Sequence, residues 1–155
     1  MADSLCIANE SLNAEIALKG AELTALSTTG GRDLQWSGDP TVWKGRAPIL
    51  FPIVGSLAGG AYRLDGKSFA LPRHGFARDR TFTAMEITPS RARLSLTWDD
   101  DTYKIYPFHF ALEMSFALAG ATLTVTARIR NLEQSRALPA SFGFHPALAW
   151  PLPFG

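Results

Sequence analysis

Apolar and polar residues alternate with a period of two along much of the chain. Between Arg91 and Trp98, the side chains of Leu94, Leu96 and Trp98 fall on one side and Arg93, Ser95 and Thr97 on the other. That is the spacing of a strand with one buried face. The pattern recurs further on, where Leu123, Val125, Ala127 and Ile129 interleave with Thr124, Thr126, Arg128 and Arg130. Asp65-Gly66, inside the segment from Tyr62 to Phe69, predicts a two-residue hairpin, because a type I′ turn needs positive φ at both central residues. Gly30-Gly31 and Ala119-Gly120 predict two more reversals. No stretch keeps apolar residues at i, i+3, i+4 and i+7 for long enough to predict a helix. Residues 49–54 are apolar on both faces but contain Pro52 and follow Pro48, so they predict an edge strand or an irregular buried crossing. Short strands punctuated by turns predict an all-β chain built as an antiparallel β-sandwich or barrel.

Composition narrows the class further. The chain has 155 residues, 46% hydrophobic and 19% charged, with 15 basic and 14 acidic side chains for a formal net charge of +1. These values exclude disorder, and the absence of a repeat excludes collagen and coiled coil. A single β domain over residues 1–155 is expected, long enough to bury roughly 68–70% of its unfolded surface without a staple. The lone Cys6 cannot close an internal disulfide or build a thiolate zinc site, which favours a reducing, cytoplasmic location. Polar residues interrupt the first fourteen positions, so no signal-peptide core is readable there, and no apolar run reaches the about 18 residues of a membrane span. With no block of Lys or Arg, neither nucleic acid nor a membrane is an expected partner. From Leu138 to Pro153 the chain is apolar and aromatic without a polar tail. Such a segment predicts either a fragment or a surface covered by another subunit or another half.

The three histidines stand in different settings. His109 alternates with Phe108 and Phe110 and is expected on the surface. His74 lies in a loop, LPRHGFARDR, with Arg73, Arg78, Asp79 and Arg80 nearby and Gly75 beside it, where a ligand or a second backbone can approach. It is either an exposed loop histidine or part of a site. His145, in SFGFHPALAW, ends an apolar run, and Pro146 keeps its backbone extended. It reads either as a buried, hydrogen-bonded core histidine or as a ring that exchanges a proton at neutral pH. Arg46 precedes the apolar APILFPI, so its guanidinium needs acceptors there, either a carboxylate such as Asp33 or Asp39 or a hydroxyl-rich or anionic ligand. The chain has no GxxxxGK[ST], GxGxxG, HExxH, CxxC or GxSxG, and no HxH or HxxxH pair, so neither a metal nor a cofactor is expected.

Four blocks in series, residues 20–26 (GAELTAL), 43–55 (WKGRAPILFPIVG), 71–78 (LPRHGFAR) and 141–147 (SFGFHPA), resemble the aldose 1-epimerase, or galactose mutarotase-like, family. The resemblance covers essentially the whole chain and is closest to the bacterial branch that includes hexose-6-phosphate epimerase relatives. It implies a β-supersandwich, of which this chain matches the N-terminal half, and an activity that interconverts the α and β anomers of an aldose or aldose phosphate. It places Arg46 at the arginine that binds sugar hydroxyls, His74 at the histidine on the ring side and His145 at the proposed general acid, so both histidines are expected to be catalytic. Trp43 or Phe144 would stack on the pyranose. Arg78, with Arg73 and Arg80, leaves a phosphorylated sugar open as ligand, while surface ion pairing with Asp79 is the favoured alternative. Family members are about twice as long, and their general-base glutamate falls in the second half, beyond Gly155. The chain is therefore expected to be an incomplete epimerase, a homo-oligomer or a half that has lost its partner, and the alternative is a non-catalytic carbohydrate-binding β domain.

Overall fold

The computed structural model of the protein describes residues 3–151, whose regular structure is dominated by antiparallel strands. β1 (Ser4–Ala8), β2 (Leu12–Ala17) and β3 (Leu23–Thr28) form a meander in that order. β7 (Thr83–Thr88), β8 (Arg91–Thr97), β9 (Phe110–Ala119) and β10 (Thr122–Asn131) form a second sheet, also between sequence neighbours. Two small pairs complete the set. β5 (Ala61–Leu64) and β6 (Lys67–Ala70) make a hairpin, and β4 (Ile49–Leu50) pairs with β11 (Gly143–Phe144).

Period-two patterning decides which face is buried. On β9 the residues Phe110, Leu112, Met114, Phe116 and Leu118 all point inward and are buried. Leu94 and Leu96 of β8 sit opposite Met114 and Leu112, so the inner face of the sheet is continuous across strands. Ile7, Leu12, Ala14, Ile16 and Leu23 of the meander belong to the same core cluster, which makes the architecture a two-sheet antiparallel sandwich. Burial fades towards the sheet edges. Leu123, Val125, Ala127 and Ile129 are only half-buried on β10, and Met85 and Ile87 on β7 are exposed. The outer face is polar and carries the ion pairs Arg93–Glu86 (3.5 Å) and Arg130–Glu113 (3.0 Å).

Most of the turn reading holds. Tyr62 pairs with Phe69 across Asp65-Gly66, both at positive φ (50° and 78°), and Gly120 makes the β9–β10 reversal at φ 52°. At Gly30-Gly31, Thr28 and Arg32 close the turn by a backbone hydrogen bond of 2.9 Å. Residues 49–54 are the irregular buried crossing: Ile49, Leu50 and Phe51 are buried and only two of these positions are strand.

Two details differ from the pattern. Trp98 does not continue the buried face of β8 but lies at the rim, its ring 4.1 Å from that of His109. A short helix, α1 (Asp100–Ile105), was not predicted by apolar periodicity, because six residues make less than two turns. Its basis is a capping box. Asp99 accepts the Thr102 backbone N–H at 2.7 Å, and the Thr102 hydroxyl accepts the Asp99 N–H at 2.8 Å. Among the described residues no helix is long and apolar enough to cross a membrane.

Candidate functional site

Four segments converge on a cavity of about 750 Å³. They are the reversal after β2, the stretch from Trp43 into β4, the loop of residues 73–79, and the residue that follows β11. Each is held by the fold. The loop of His74 reaches the cavity because Gly75 lies directly against the buried crossing. A Cβ at Gly75 would stand 2.1 Å from the Phe51 carbonyl oxygen, and its φ is +71°. The Phe51 carbonyl in turn accepts the N–H groups of Phe76 (3.0 Å) and Ala77 (3.2 Å). The close approach that this glycine permits is therefore that of a second backbone, one of the two uses its place in the sequence left open.

His74 itself adopts left-handed backbone geometry, φ 67°, which is uncommon for a residue with a Cβ and worth attention where it falls beside a cavity. Its Nδ1 accepts the Gly55 N–H at 2.9 Å. A neutral imidazole has one lone pair, so this bond places the proton on Nε2. The Arg73 Nε–H also points at Nε2, 3.1 Å away, and so competes with the Gly55 N–H for that lone pair; the backbone donor is fixed by the fold and the exposed Arg73 side chain is free to turn away, which favours the Nε2–H form. Burial, followed by the charges of Arg73, Arg78 and His145, holds His74 below the ordinary histidine pKa.

His145 is exposed within the cavity and not a core histidine. The alternation across the short β11 explains this: its N–H donates to the Pro48 carbonyl at 3.2 Å, while Phe144, one residue earlier, turns to the core. The imidazole lies against the indole of Trp43, ring centroids 5.2 Å apart and tilted by 49°. Trp43 is anchored from both sides. Its N–H donates to the Asp39 carbonyl (2.8 Å) and its carbonyl accepts the Trp36 indole N–H (2.8 Å).

Of the residues singled out from the sequence, Trp43, His74, Arg78 and His145 line one cavity. Phe144 is not in its wall. Nor is Arg46, whose guanidinium donates through Nε to the Ser37 carbonyl at 3.1 Å and packs over Gly38, so its acceptor is a backbone oxygen and neither Asp33 nor Asp39. The wall also holds Arg73 and Asp79, named with the His74 loop, and Lys19, Glu22 and Lys44, none of which was singled out. Glu22 does stand within the GAELTAL block, directly after Gly20 and Ala21, both at positive φ. Arg78 is partly occupied, donating to the Arg73 carbonyl (3.0 Å) and pairing with Asp79 (3.6 Å). Among the described residues no cluster of three His, Cys, Asp or Glu side chains could hold a metal ion.

Comparison with known proteins identifies the family to which this antiparallel sandwich belongs. The family profile described as aldose 1-epimerase matches residues 3–153. The chromosomal LacX protein of Lactococcus lactis subsp. lactis is 33% identical over 149 residues, covering 93% of this chain and 50% of its own. The crystal structure of a galactose mutarotase-like protein from Lactobacillus casei superposes with a TM-score of 0.89 at 34% identity, over 94% of this chain and 49% of that one. A galactose mutarotase related enzyme from Lactobacillus acidophilus gives 0.92 at 29% identity, over 98% and 51%. This chain belongs to the aldose 1-epimerase family, has the galactose mutarotase-like fold, and spans about half the length of these relatives.

Proposed function

We propose that the cavity binds an aldose and that His145 and His74 serve the interconversion of its α and β anomers. The observation that carries this reading is the convergence of the two imidazoles and the Trp43 indole on one cavity. Anomer exchange requires that the C1 hydroxyl lose a proton while the ring oxygen gains one. The C1–ring oxygen bond breaks, leaving an open-chain aldehyde, the C1–C2 bond turns, and closure on the other face reverses both transfers. His145, exposed in the cavity, is the proton donor to the ring oxygen. His74 presents Nε2–H as a fixed donor to the ring side of the sugar. Trp43 offers a flat surface for the apolar face of a pyranose. No residue among those described is assigned as acceptor of the C1 proton; solvent water takes it, and this chain's own residues act on the ring-oxygen side of the chemistry.

Charge supports a finer statement. Lys19, Lys44, Arg73 and Arg78 outnumber Glu22 and Asp79 in the wall, which favours a sugar bearing a phosphate. Polarimetry of freshly dissolved α-glucose with stoichiometric protein is the test. A faster approach to equilibrium that is lost in His145→Ala supports the epimerase reading. Sugar-induced NMR shifts around His74 without any change in rate support the alternative, a non-catalytic carbohydrate-binding domain. Competition between glucose and glucose 6-phosphate decides the phosphate.

A further inference from the structure

We propose that Glu22 is a sugar-positioning carboxylate, with one oxygen fixed to the protein and the other presented to a ligand hydroxyl; this rests on reading the cavity as an aldose site. Glu22 is placed by a tight reversal. The backbone passes through positive φ at Gly20 (72°) and Ala21 (46°), and the Glu22 carbonyl then accepts the Ala17 N–H at 2.9 Å. The Gly20 N–H donates to the Arg80 carbonyl at 2.7 Å, which ties this reversal to the chain just beyond Arg78 and Asp79, two other residues of the wall. The position of Glu22 is thus set by backbone contacts on both sides.

Its carboxylate is fixed as well. Oε1 accepts the N–H of Arg46 at 2.7 Å and of Ala47 at 2.9 Å, two successive donors of the segment that leads into β4. Among the described residues no hydrogen bond or salt bridge engages Oε2, although Lys19 and Lys44 share the same cavity. A carboxylate has about four acceptor positions, and the two backbone donors use those of Oε1. Oε2 remains an acceptor only, held in orientation by its partner oxygen. Sugar hydroxyls are donors, and a bond from a hydroxyl to an ionised oxygen is about twice as strong as a neutral one. A preoriented acceptor in the wall therefore selects the hydroxyl configuration that points at it, and it does so without the side-chain ordering that a mobile surface glutamate would require.

The test compares the intact chain with Glu22→Gln and Glu22→Ala, measuring thermal unfolding and the affinity for glucose, galactose and their monodeoxy analogues by NMR titration. The Gln variant retains a carbonyl oxygen for the Arg46 and Ala47 donors but replaces Oε2 by an NH2 group. Unchanged unfolding with an affinity loss of about tenfold or more for the parent sugar is the expected result. One deoxy analogue, lacking the hydroxyl that faces Oε2, should bind wild type and Glu22→Gln equally. Wild-type affinity in Glu22→Gln overturns the proposal, and so does a uniform loss for every analogue that accompanies lowered stability, since that assigns Glu22 to anchoring the loop alone. If the wild-type chain binds none of the sugars, the aldose reading itself falls, a result distinct from either.

Discussion

His74 and Gly55 are joined by a reciprocal pair of hydrogen bonds: the Gly55 N–H donates to the His74 Nδ1 at 2.9 Å, and the His74 N–H donates to the Gly55 carbonyl at 2.8 Å. The first bond can form only while Nδ1 is unprotonated, so the fold selects the Nε2–H tautomer. The 15N shifts of His74 at neutral pH should show that tautomer, and its titration midpoint should lie below the ordinary 6.5. An Nδ1–H ring or a raised midpoint would refute the assignment. The sign for stability follows from the lowered pKa. The contribution of His74 is fully present above the unfolded value and is lost as pH falls through the folded one.

Gly75 is the point where the His74 loop touches the core, and its replacement separates two effects. Any L side chain at φ +71° pays about 1–2 kcal/mol for left-handed geometry. The same is true at Gly66, φ +78°, where a Cβ meets nothing within 4 Å. At Gly75 the Cβ would in addition overlap the Phe51 carbonyl, backbone that cannot move without opening the buried crossing. Gly75→Ala should therefore lower the unfolding temperature well beyond Gly66→Ala, which at about 2–4 °C per kcal/mol should itself fall by only a few degrees. Equal shifts in the two variants would show that the crossing yields.

How far the sequence led is seen by setting β8 and β10 beside Arg46. Alternation fixes which side of a strand faces inward, and so the inward sets of β8 and β10 were readable in outline from local pattern alone. The rim position of Trp98 was not, because a strand pattern does not say where the opposing sheet ends. The cavity was partly legible: Trp43, His74 with Arg78, and His145 come from three separate blocks whose motif was visible, while their convergence is a product of long-range pairing such as β4 with β11. Arg46 shows the limit. A guanidinium beside an apolar run must find acceptors, but the Ser37 carbonyl that takes this role is an unmarked backbone atom nine residues away. Glu22 was passed over for a related reason. Its partners are the N–H groups of Arg46 and Ala47, and backbone donors leave no trace in residue type.

The helix that periodicity missed offers a clean test of capping. Asp99 caps α1 through the Thr102 N–H, and that bond is the main cause of its lowered pKa. Asp99→Ala should reduce stability by about 1 kcal/mol, whereas Asp99→Asn, an equally good cap, should be close to neutral at pH 7. Because the carboxylate pKa is depressed, the difference between wild type and Asp99→Ala is full above the unfolded value and shrinks as pH falls through the folded one. Urea unfolding at several pH values measures both effects. A difference that does not depend on pH would mean that the charge of Asp99 contributes nothing to the cap.

Trp43 tests whether the cavity wall serves a ligand or only itself. The indole is half-exposed and its backbone is pinned at Asp39 and Trp36, so removing the ring leaves those hydrogen bonds in place. Trp43→Ala should then change the unfolding temperature little, yet shift the ring resonances of His145, whose imidazole lies 5.2 Å from the indole centroid. Stacking on an aromatic face contributes about 0.5–1.5 kcal/mol, so sugar affinity should fall by about 2- to 12-fold, with Trp43→Phe between the two. NMR titration of His145 reads both quantities in one experiment. A shifted His145 spectrum with unaltered sugar affinity would show that the indole packs against the imidazole for its own sake and that a bound pyranose lies elsewhere in the cavity.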